Sequence, residues 1–232
     1  AQMLPNIPII ITLRHPTSRS FSGFTFMCHH YKRIINVTNS RYNHYLNTVY
    51  EKDTPDFVFA TYEKMKNCTG DDYHNFIARD QTRENREDPN YNVSEVTPET
   101  AMNHLSVFAL SHLQYGFFDS HMMNVLSYYP AKQVKVIFLE EWVRDIPATA
   151  SMIGEFVGLP PYEYTPPKRV INKGRSKARI RPDDELLLDN FYTPSLLNLE
   201  VILQTYFNRS LPQEWKERLQ PSFRGADSFS IM

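Results

Sequence analysis

Glycine and cysteine are both scarce in this sequence. Its 232 residues include only 7 Gly and 2 Cys. So little glycine excludes collagen-like chains and glycine-rich repeats. The two common glycine-rich phosphate-binding patterns, G-x-x-x-x-G-K-[ST] and G-x-G-x-x-G, do not occur either. Two cysteines are too few for a disulfide scaffold or for a four-thiolate metal site, and no metal site is predicted.

Long hydrophobic runs and a strong net charge are also missing. The longest apolar run, from Ile7 to Leu13, has the length of a β-strand, far short of the roughly 18 residues that span a bilayer. The formal net charge is −1, so nothing draws the whole chain to nucleic acid and any anion site has to be local. What the sequence does contain is 14 Tyr and 15 Phe, more aromatic side chains than disordered chains carry.

The hydrophobic pattern predicts an α/β fold with a parallel sheet flanked by helices. Two continuous apolar runs, Ile7–Leu13 and Val134–Leu139, predict buried parallel strands. Helices are predicted from Pro16 to about Tyr31, from Thr97 through Gly116 towards Pro130, from Pro147 to Val157, and in two segments that begin at Asp183 and Thr193. The length suits a single domain, residues 1–232, in which the polar stretch 32–100 is a variable insertion or surface excursion.

Asparagine appears in several N-glycosylation sequons, N-x-[ST]. The acceptor residues are Asn36, Asn67, Asn92 and Asn208. This is a mild excess over chance, so two interpretations stay open: accidental matches, or a lumenal or secreted glycoprotein whose targeting segment is not in this chain. Cys28 and Cys68 could form a disulfide in such a compartment, but the sequence does not show that they meet.

The first candidate site follows the first predicted strand directly. Arg14 lies at its carboxyl end and Ser22 lies one to two turns into the helix that Pro16 begins. In open α/β sheets, ligands bind at the carboxyl ends of strands, a helix beginning there directs N–H groups at an anion, and arginine matches phosphate with a bidentate fork. The alternative is an ordinary helix start with a surface arginine.

The second candidate site is a basic loop within residues 171–182. Its cations are Lys173, Arg175, Lys177, Arg179 and Arg181, interrupted by Gly174 and Ala178. Most charge runs are simply solvated surfaces, but small residues in a turn-rich loop let the backbone approach an anion. Two anion sites far apart in sequence suggest a ligand with clustered phosphates.

Five blocks of the chain, in order, resemble a sulfotransferase domain that uses 3′-phosphoadenosine 5′-phosphosulfate (PAPS). They are IIITLRHPTSRSFSGF, GFFDSHMMNVLSYYP, VKVIFLEEWVRDIPATASMIGEFVGLP, SKARIRP and LLDNFYTPSLLNLEVIL. The first is similar to the strand–loop–helix motif R-[DN]-P-x-x-R-x-x-S that binds the 3′-phosphate, and the fourth to the S-K-G-R loop. The most similar members are the Golgi heparan sulfate N- and 3-O-sulfotransferases. The resemblance covers residues 4–31 and about 101–215.

The resemblance implies a P-loop-NTPase-like sulfotransferase fold, incomplete at its N-terminus, and PAPS as cosubstrate without a metal. Arg14, Ser22, Lys177, Ala178 and Arg179 would bind the nucleotide. The activity implied is transfer of a sulfuryl group to a hydroxyl or amine of a carbohydrate acceptor in the Golgi lumen or outside the cell, with membrane attachment only through a segment absent from this chain. The alternative is a non-catalytic binding or structural module that keeps the fold without the donor loop.

The departures from the family pattern concern the catalytic groups above all. The family's 5′-phosphosulfate loop, with its Lys and its general base, would precede this sequence, so we assign no catalytic residue and leave enzymatic activity open. His15 stands where Asp or Asn is usual, and Ala178 replaces Gly. His15, His112 and His121 are candidate bases, although a lone histidine is more often structural. In the unmatched stretch, Arg79, Arg83 and Arg86 would meet an acidic glycan or form a solvated face.

Overall fold

The computed structural model describes residues 7–36, 68–77, 97, 100, 112–165 and 178–219. The elements in chain order are β1 (Ile9–Leu13), α1 (Pro16–Asn36), α2 (Gly70–Ile77), α3 (Phe118–Tyr128), β2 (Val134–Phe138), α4 (Leu139–Arg144), α5 (Ile146–Phe156), α6 (Pro182–Phe207) and α7 (Gln213–Lys216). Short 3₁₀ turns at Gln114–Gly116 and Ala131–Gln133 precede α3 and β2. Among these residues no helix is both long and apolar enough to cross a membrane.

The two predicted strands pair in parallel, which confirms the α/β class. The register runs from Ile9 opposite Val134 to Leu13 opposite Phe138. Strand β2 is largely buried, as predicted. For β1 the prediction of a fully buried strand is wrong, because its side chains alternate and Ile10 is 38% exposed. An apolar run identifies a strand, but it does not tell whether one face or both are covered.

Helices α5 and α1 were both predicted, and each begins at or next to the predicted residue. The short helix α4 follows β2, and α5 ends at Phe156, one residue before the predicted end at Val157. Gly158 has φ of +77°, a left-handed conformation in which a side chain would be strained and which commonly ends a helix. Helix α1 begins at Pro16 as predicted and extends further, to Asn36. Of the helix predicted from Thr97 towards Pro130, residues 98–99 and 101–111 lie outside the described residues. The rest is not one continuous helix, because the 3₁₀ turn Gln114–Gly116 separates it from α3.

Helix α6 runs unbroken through Pro194, so the prediction that a new helix begins at Thr193 is wrong. A proline inside a helix removes one hydrogen bond and crowds the preceding turn. The Thr193 hydroxyl donates to the Asp189 carbonyl at 2.7 Å, one residue before Asn190, whose carbonyl the missing N–H of Pro194 would have served. Leu196 and Leu199, beyond the proline, are buried. Packing of this kind outweighs the local tendency to break.

The described residues fall into two compact units. The first comprises 7–16, 115–165 and 189–219, and the second comprises 17–36, 68–77, 97, 100, 112–114 and 178–188. Each unit is assembled from separate stretches of chain.

In the first unit, aromatic packing around Trp215 organises the core. The indole, 1% exposed, lies edge-on to Phe138 at 5.1 Å and to His15 at 5.3 Å between ring centroids. Arg209 joins the same region. It donates to the Val136 carbonyl at 2.5 Å and to both oxygens of Glu141 at 2.8 and 2.6 Å. The segment after α6 is thereby fixed to β2 and α4.

In the second unit, helix α2 packs on α1 through aromatic rings and is joined to it by a disulfide. Tyr73, fully buried, contacts Phe21 and Phe24 at about 5 Å between ring centroids. Cys28 and Cys68 form a disulfide with a Cα–Cα distance of 5.8 Å, which answers the pairing that the sequence left open. Helix α2 lies within the stretch 32–100, so part of that predicted excursion carries buried structure.

Candidate functional site

The end of β1 delivers a cationic side chain just before α1. Arg14 follows the strand directly and is half-buried, and within the described part of the chain its guanidinium has no protein partner. It is therefore available to an anion. Its position at the carboxyl end of a parallel strand, two residues before the first residue of α1, is the one at which α/β sheets bind ligands.

His15, the next residue, is not a suitable base. Its backbone N–H donates to Glu140 Oε1 at 3.2 Å, and its ring is 3% exposed. Burial, together with the Arg218 charge, lowers the pKa of His15 from 6.5 to about 3. Neither ring nitrogen has a hydrogen-bond partner among the described residues. The imidazole is thus a neutral core side chain packed on Trp215.

Ser22, the second predicted phosphate ligand, lies in the second turn of α1. It is half-buried, and no partner of its hydroxyl is found among the described residues. The neighbouring Ser20 is used differently, because its hydroxyl forms a buried hydrogen bond of 2.6 Å with the Tyr73 hydroxyl. Tyr73 is fully buried, and burial in particular raises its pKa. Ser22, and not Ser20, is therefore free to bind a ligand.

The described end of the basic loop runs against the start of α2. The Arg179 carbonyl lies so close to Gly70 that a Cβ there would be 2.3 Å from it. Arg181 pairs with Asp71 at 3.7 Å. The Arg179 side chain is exposed and is without a protein partner in the ranges described. Ala178 does not have positive φ, so alanine is unstrained at this position where the sulfotransferase pattern has glycine.

The predicted nucleotide-binding residues are divided between the two units. Ser22, Ala178 and Arg179 belong to the second unit, whereas Arg14 belongs to the first. Lys177 lies outside the described residues, as do Arg79, Arg83 and Arg86.

The second unit contains a histidine–carboxylate pair that was not predicted from the sequence. His74 Nδ1 and Asp184 Oδ1 are 2.5 Å apart. Their side chains are 19% and 3% exposed. The two residues are 110 positions apart and belong to no short motif, so nothing in the sequence pointed to the pair. A buried carboxylate that holds a histidine in one tautomer is the arrangement by which many enzymes orient a base.

The other candidate histidines, His112 and His121, lie elsewhere in the fold. His112 Nε2 lies 3.0 Å from the Ser20 carbonyl and therefore carries the proton, since a carbonyl only accepts. Burial lowers the pKa of His112. His121 is exposed on α3.

Of the four sequons, the structure describes the surroundings of the last. Asn208 is exposed directly after α6, with φ of +48°. The Ser210 hydroxyl donates to Glu200 Oε1 at 2.5 Å and accepts from Lys216 at 2.6 Å. Asn36 is the last residue of α1, and Asn67 and Asn92 lie outside the described residues.

Comparison with known proteins adds no family to this geometry. A scan against protein-family models gives no match, and no curated protein matches the sequence. What the site can bind and do therefore rests on its own residues and on the sequence motifs.

Proposed function

We propose that this protein is a PAPS-dependent sulfotransferase acting on carbohydrate, with a P-loop-NTPase-like sulfotransferase fold, and that this chain supplies the 3′-phosphate-binding half of the donor site. The observation that carries the proposal is the strand–loop–helix unit at β1 and α1. A parallel strand ends at Leu13 and Arg14 follows it. Pro16 then begins a long helix. This is the local structure that the motif R-[DN]-P-x-x-R-x-x-S requires.

The chemistry of the side chains supports an anionic ligand. Arg14, Ser22 and Arg179 each keep a donor without a protein partner among the described residues. A phosphate would give both arginines charge-assisted hydrogen bonds. These donors support a phosphate ligand, and we propose the 3′-phosphate of PAPS.

Sulfuryl transfer makes few demands on covalent chemistry. An acceptor oxygen or nitrogen attacks the sulfur, and the 5′-phosphate of the nucleotide leaves. The protein has to hold the nucleotide, neutralise its negative charge and accept the acceptor's proton. Arg14, Ser22 and Arg179 would serve the first two purposes at the 3′-phosphate.

Two structural features support a compartment of the secretory pathway, where carbohydrate sulfation takes place. Disulfides persist mainly in oxidising compartments, and Cys28 and Cys68 are paired. Asn208 is exposed in a loop, where an N-linked glycan can be accommodated. Both fit an enzyme of the Golgi lumen that meets glycan acceptors.

The first test is binding of the product nucleotide, 3′-phosphoadenosine 5′-phosphate (PAP), followed by thermal unfolding. At a hundredfold excess over its dissociation constant, PAP should stabilise the protein by about 2.7 kcal/mol. Arg14→Ala removes a charge-assisted contact of about 1.5–3 kcal/mol and should weaken PAP binding roughly 10- to 100-fold. Arg144→Ala is the matched control. It removes an exposed arginine that pairs with Glu214 and should leave PAP binding unchanged.

Absence of any PAP-induced shift in the unmutated protein would refute the nucleotide site. Stabilisation by PAP with no turnover of PAPS would indicate instead the non-catalytic module that keeps the fold.

A further inference from the structure

We propose that the Cys28–Cys68 disulfide sets the affinity of the nucleotide site, because it holds the start of α2 against residues 178–181, here called the Arg179 segment. PAP binding is then sensitive to thiol reductants. The inference rests on the proposed function and goes beyond it, since it names the link that positions one of the phosphate ligands. It follows from the conformation of Cys68, from the contacts at the start of α2 and from the packing of this helix on α1.

Cys68 is held in a conformation that residues with a side chain seldom adopt. Its φ is +57°, in the left-handed region. Both cysteines are buried, and the disulfide fixes Cys68 by a covalent bond to α1. Strained backbone of this kind persists only where the surrounding structure imposes it. Without the bond Cys68 can relax to an ordinary backbone conformation, and the direction in which the chain enters α2 then changes.

The residue after Cys68 caps α2 and passes such a change on to the first turn. The Thr69 N–H donates to Asp72 Oδ2 at 2.9 Å, and the Asp72 N–H donates to the Thr69 hydroxyl at 3.2 Å. This reciprocal cap ties the first turn to the residue beside the disulfide. Helix α2 has eight residues, too few to keep its own start in place by backbone hydrogen bonding alone. The start of α2 therefore follows the position of Cys68.

The first turn of α2 bears directly on the Arg179 segment. Gly70 is buried against the Arg179 carbonyl, since a Cβ at Gly70 would be 2.3 Å from that oxygen. The neighbouring Asp71 pairs with Arg181 at 3.7 Å, but an exposed ion pair of this kind contributes little. The close backbone contact at Gly70 is therefore what places the segment. A shift of the start of α2 moves the Arg179 backbone, and with it the guanidinium of the proposed phosphate site.

Helix α1, to which the disulfide fixes α2, also carries the second phosphate ligand of this unit. Ser22 lies six residues before Cys28, about 9 Å along the helix axis. The middle of α2 is held on α1 independently of the disulfide, because Tyr73 packs on Phe24 and its hydroxyl bonds to that of Ser20. The disulfide therefore governs the start of α2 in particular, and with it the position of the Arg179 segment relative to α1.

Isothermal titration calorimetry of PAP binding, before and after reduction, tests the inference. The chain has 2 Cys, so a dithiol reductant acts on this bond alone. It supplies the electrons and protons that turn the S–S bond into two thiols, and is itself oxidised to a disulfide. At a temperature at which circular dichroism shows the helices retained, reduction should weaken PAP binding about 10-fold or more, because a charge-assisted contact is lost. The Cys28→Ala/Cys68→Ala variant should bind PAP as weakly as the reduced protein and should not respond to reductant.

A thermodynamic cycle separates the positioning of Arg179 from a general loosening of the protein. If the disulfide acts through Arg179, reduction should hardly affect PAP binding by Arg179→Ala, since the contact is already lost. Arg14→Ala is the control, because it removes the same kind of side chain from the other unit, and the full effect of reduction should persist in it. A merely structural disulfide would weaken PAP binding by the same factor in both variants.

Gly70→Ala, with the disulfide intact, decides the matter if the reduced protein does not fold. It should weaken PAP binding where the Arg179 side chain is present and have little effect in Arg179→Ala, whereas Gly154→Ala, where a Cβ meets nothing closer than 3.9 Å, should leave PAP binding unchanged. Unchanged affinity after reduction, an equal loss in Arg179→Ala, or normal PAP binding by Gly70→Ala overturns the inference while the nucleotide site stands. If the oxidised, unmutated protein does not bind PAP, the proposed function fails and the inference fails with it.

Discussion

His15 makes the stability of the protein sensitive to acid. Its pKa is lowered from 6.5 to about 3 in the folded state, first by burial and then by Arg218. The unfolded chain therefore binds this proton as the pH falls through 6.5, whereas the folded chain resists until about 3. The stability that His15 contributes is complete above pH 6.5 and is lost between these two values.

The resulting prediction concerns the pH dependence of unfolding by urea. As the pH falls from about 6 to about 3.5, protonation of His15 in the unfolded chain should lower the free energy of unfolding by about 1.4 kcal/mol for each pH unit. His15→Leu removes the titrating ring but keeps the backbone N–H that binds Glu140, so this part of the slope should vanish. His121→Gln, at an exposed position, should retain it. Identical slopes for His15→Leu and the unmutated protein would show that His15 is not buried as a neutral ring.

At the level of elements, the contact between α2 and the Arg179 segment depends on a glycine. A Cβ at Gly70 would lie 2.3 Å from the Arg179 carbonyl oxygen, and a backbone atom cannot move aside as a flexible side chain can. We expect Gly70→Ala to destabilise the protein by about 1–3 kcal/mol and to weaken PAP binding, because the Arg179 segment must shift.

Gly154 of α5 provides the matched control. A Cβ there meets nothing closer than 3.9 Å, so Gly154→Ala should stabilise the protein by about 0.5–1 kcal/mol through the helix propensity of alanine. Urea denaturation of both variants measures the two effects. Equal and small effects of the two substitutions would contradict the close approach at Gly70.

The elements also show where sequence patterns suffice and where they fail. Both strands, the start of α1 and the end of α5 were predictable, because apolar runs, Pro16 and Gly158 act locally. The break predicted at Pro194 was wrong because tertiary packing of α6 overrides a local signal. The exposure of Ile10 was missed because whether a strand face is covered depends on distant residues.

The same distinction applies to the candidate site. Arg14 and Ser22 were identified because they belong to one continuous motif that follows a strand. His74 and Asp184 were not, since their pairing is created by folding across 110 residues, and neither residue is unusual in its local sequence.

At the scale of the whole molecule, a single covalent link constrains the second unit. The disulfide joins residues separated by 40 positions. In the chain-entropy model a closed loop of this size destabilises the unfolded state by about 4 kcal/mol. Reduction should therefore lower the melting temperature markedly and increase amide hydrogen exchange in α2. A Cys28→Ala/Cys68→Ala variant should show the same low stability with or without reductant. If reductant leaves the melting temperature of the unmutated protein unchanged, the disulfide does not form.

The division of the chain between the two units has a consequence for its biosynthesis. Both units include part of α6, since the boundary between them falls at residues 188 and 189. Neither can be completed while the ribosome is still translating the residues before α6. At about 5–20 residues per second, α1 waits on the order of ten seconds for the part of its unit that α6 supplies. The nascent chain should therefore depend on chaperones until α6 emerges, and a transcript truncated ahead of α6 should yield no folded unit.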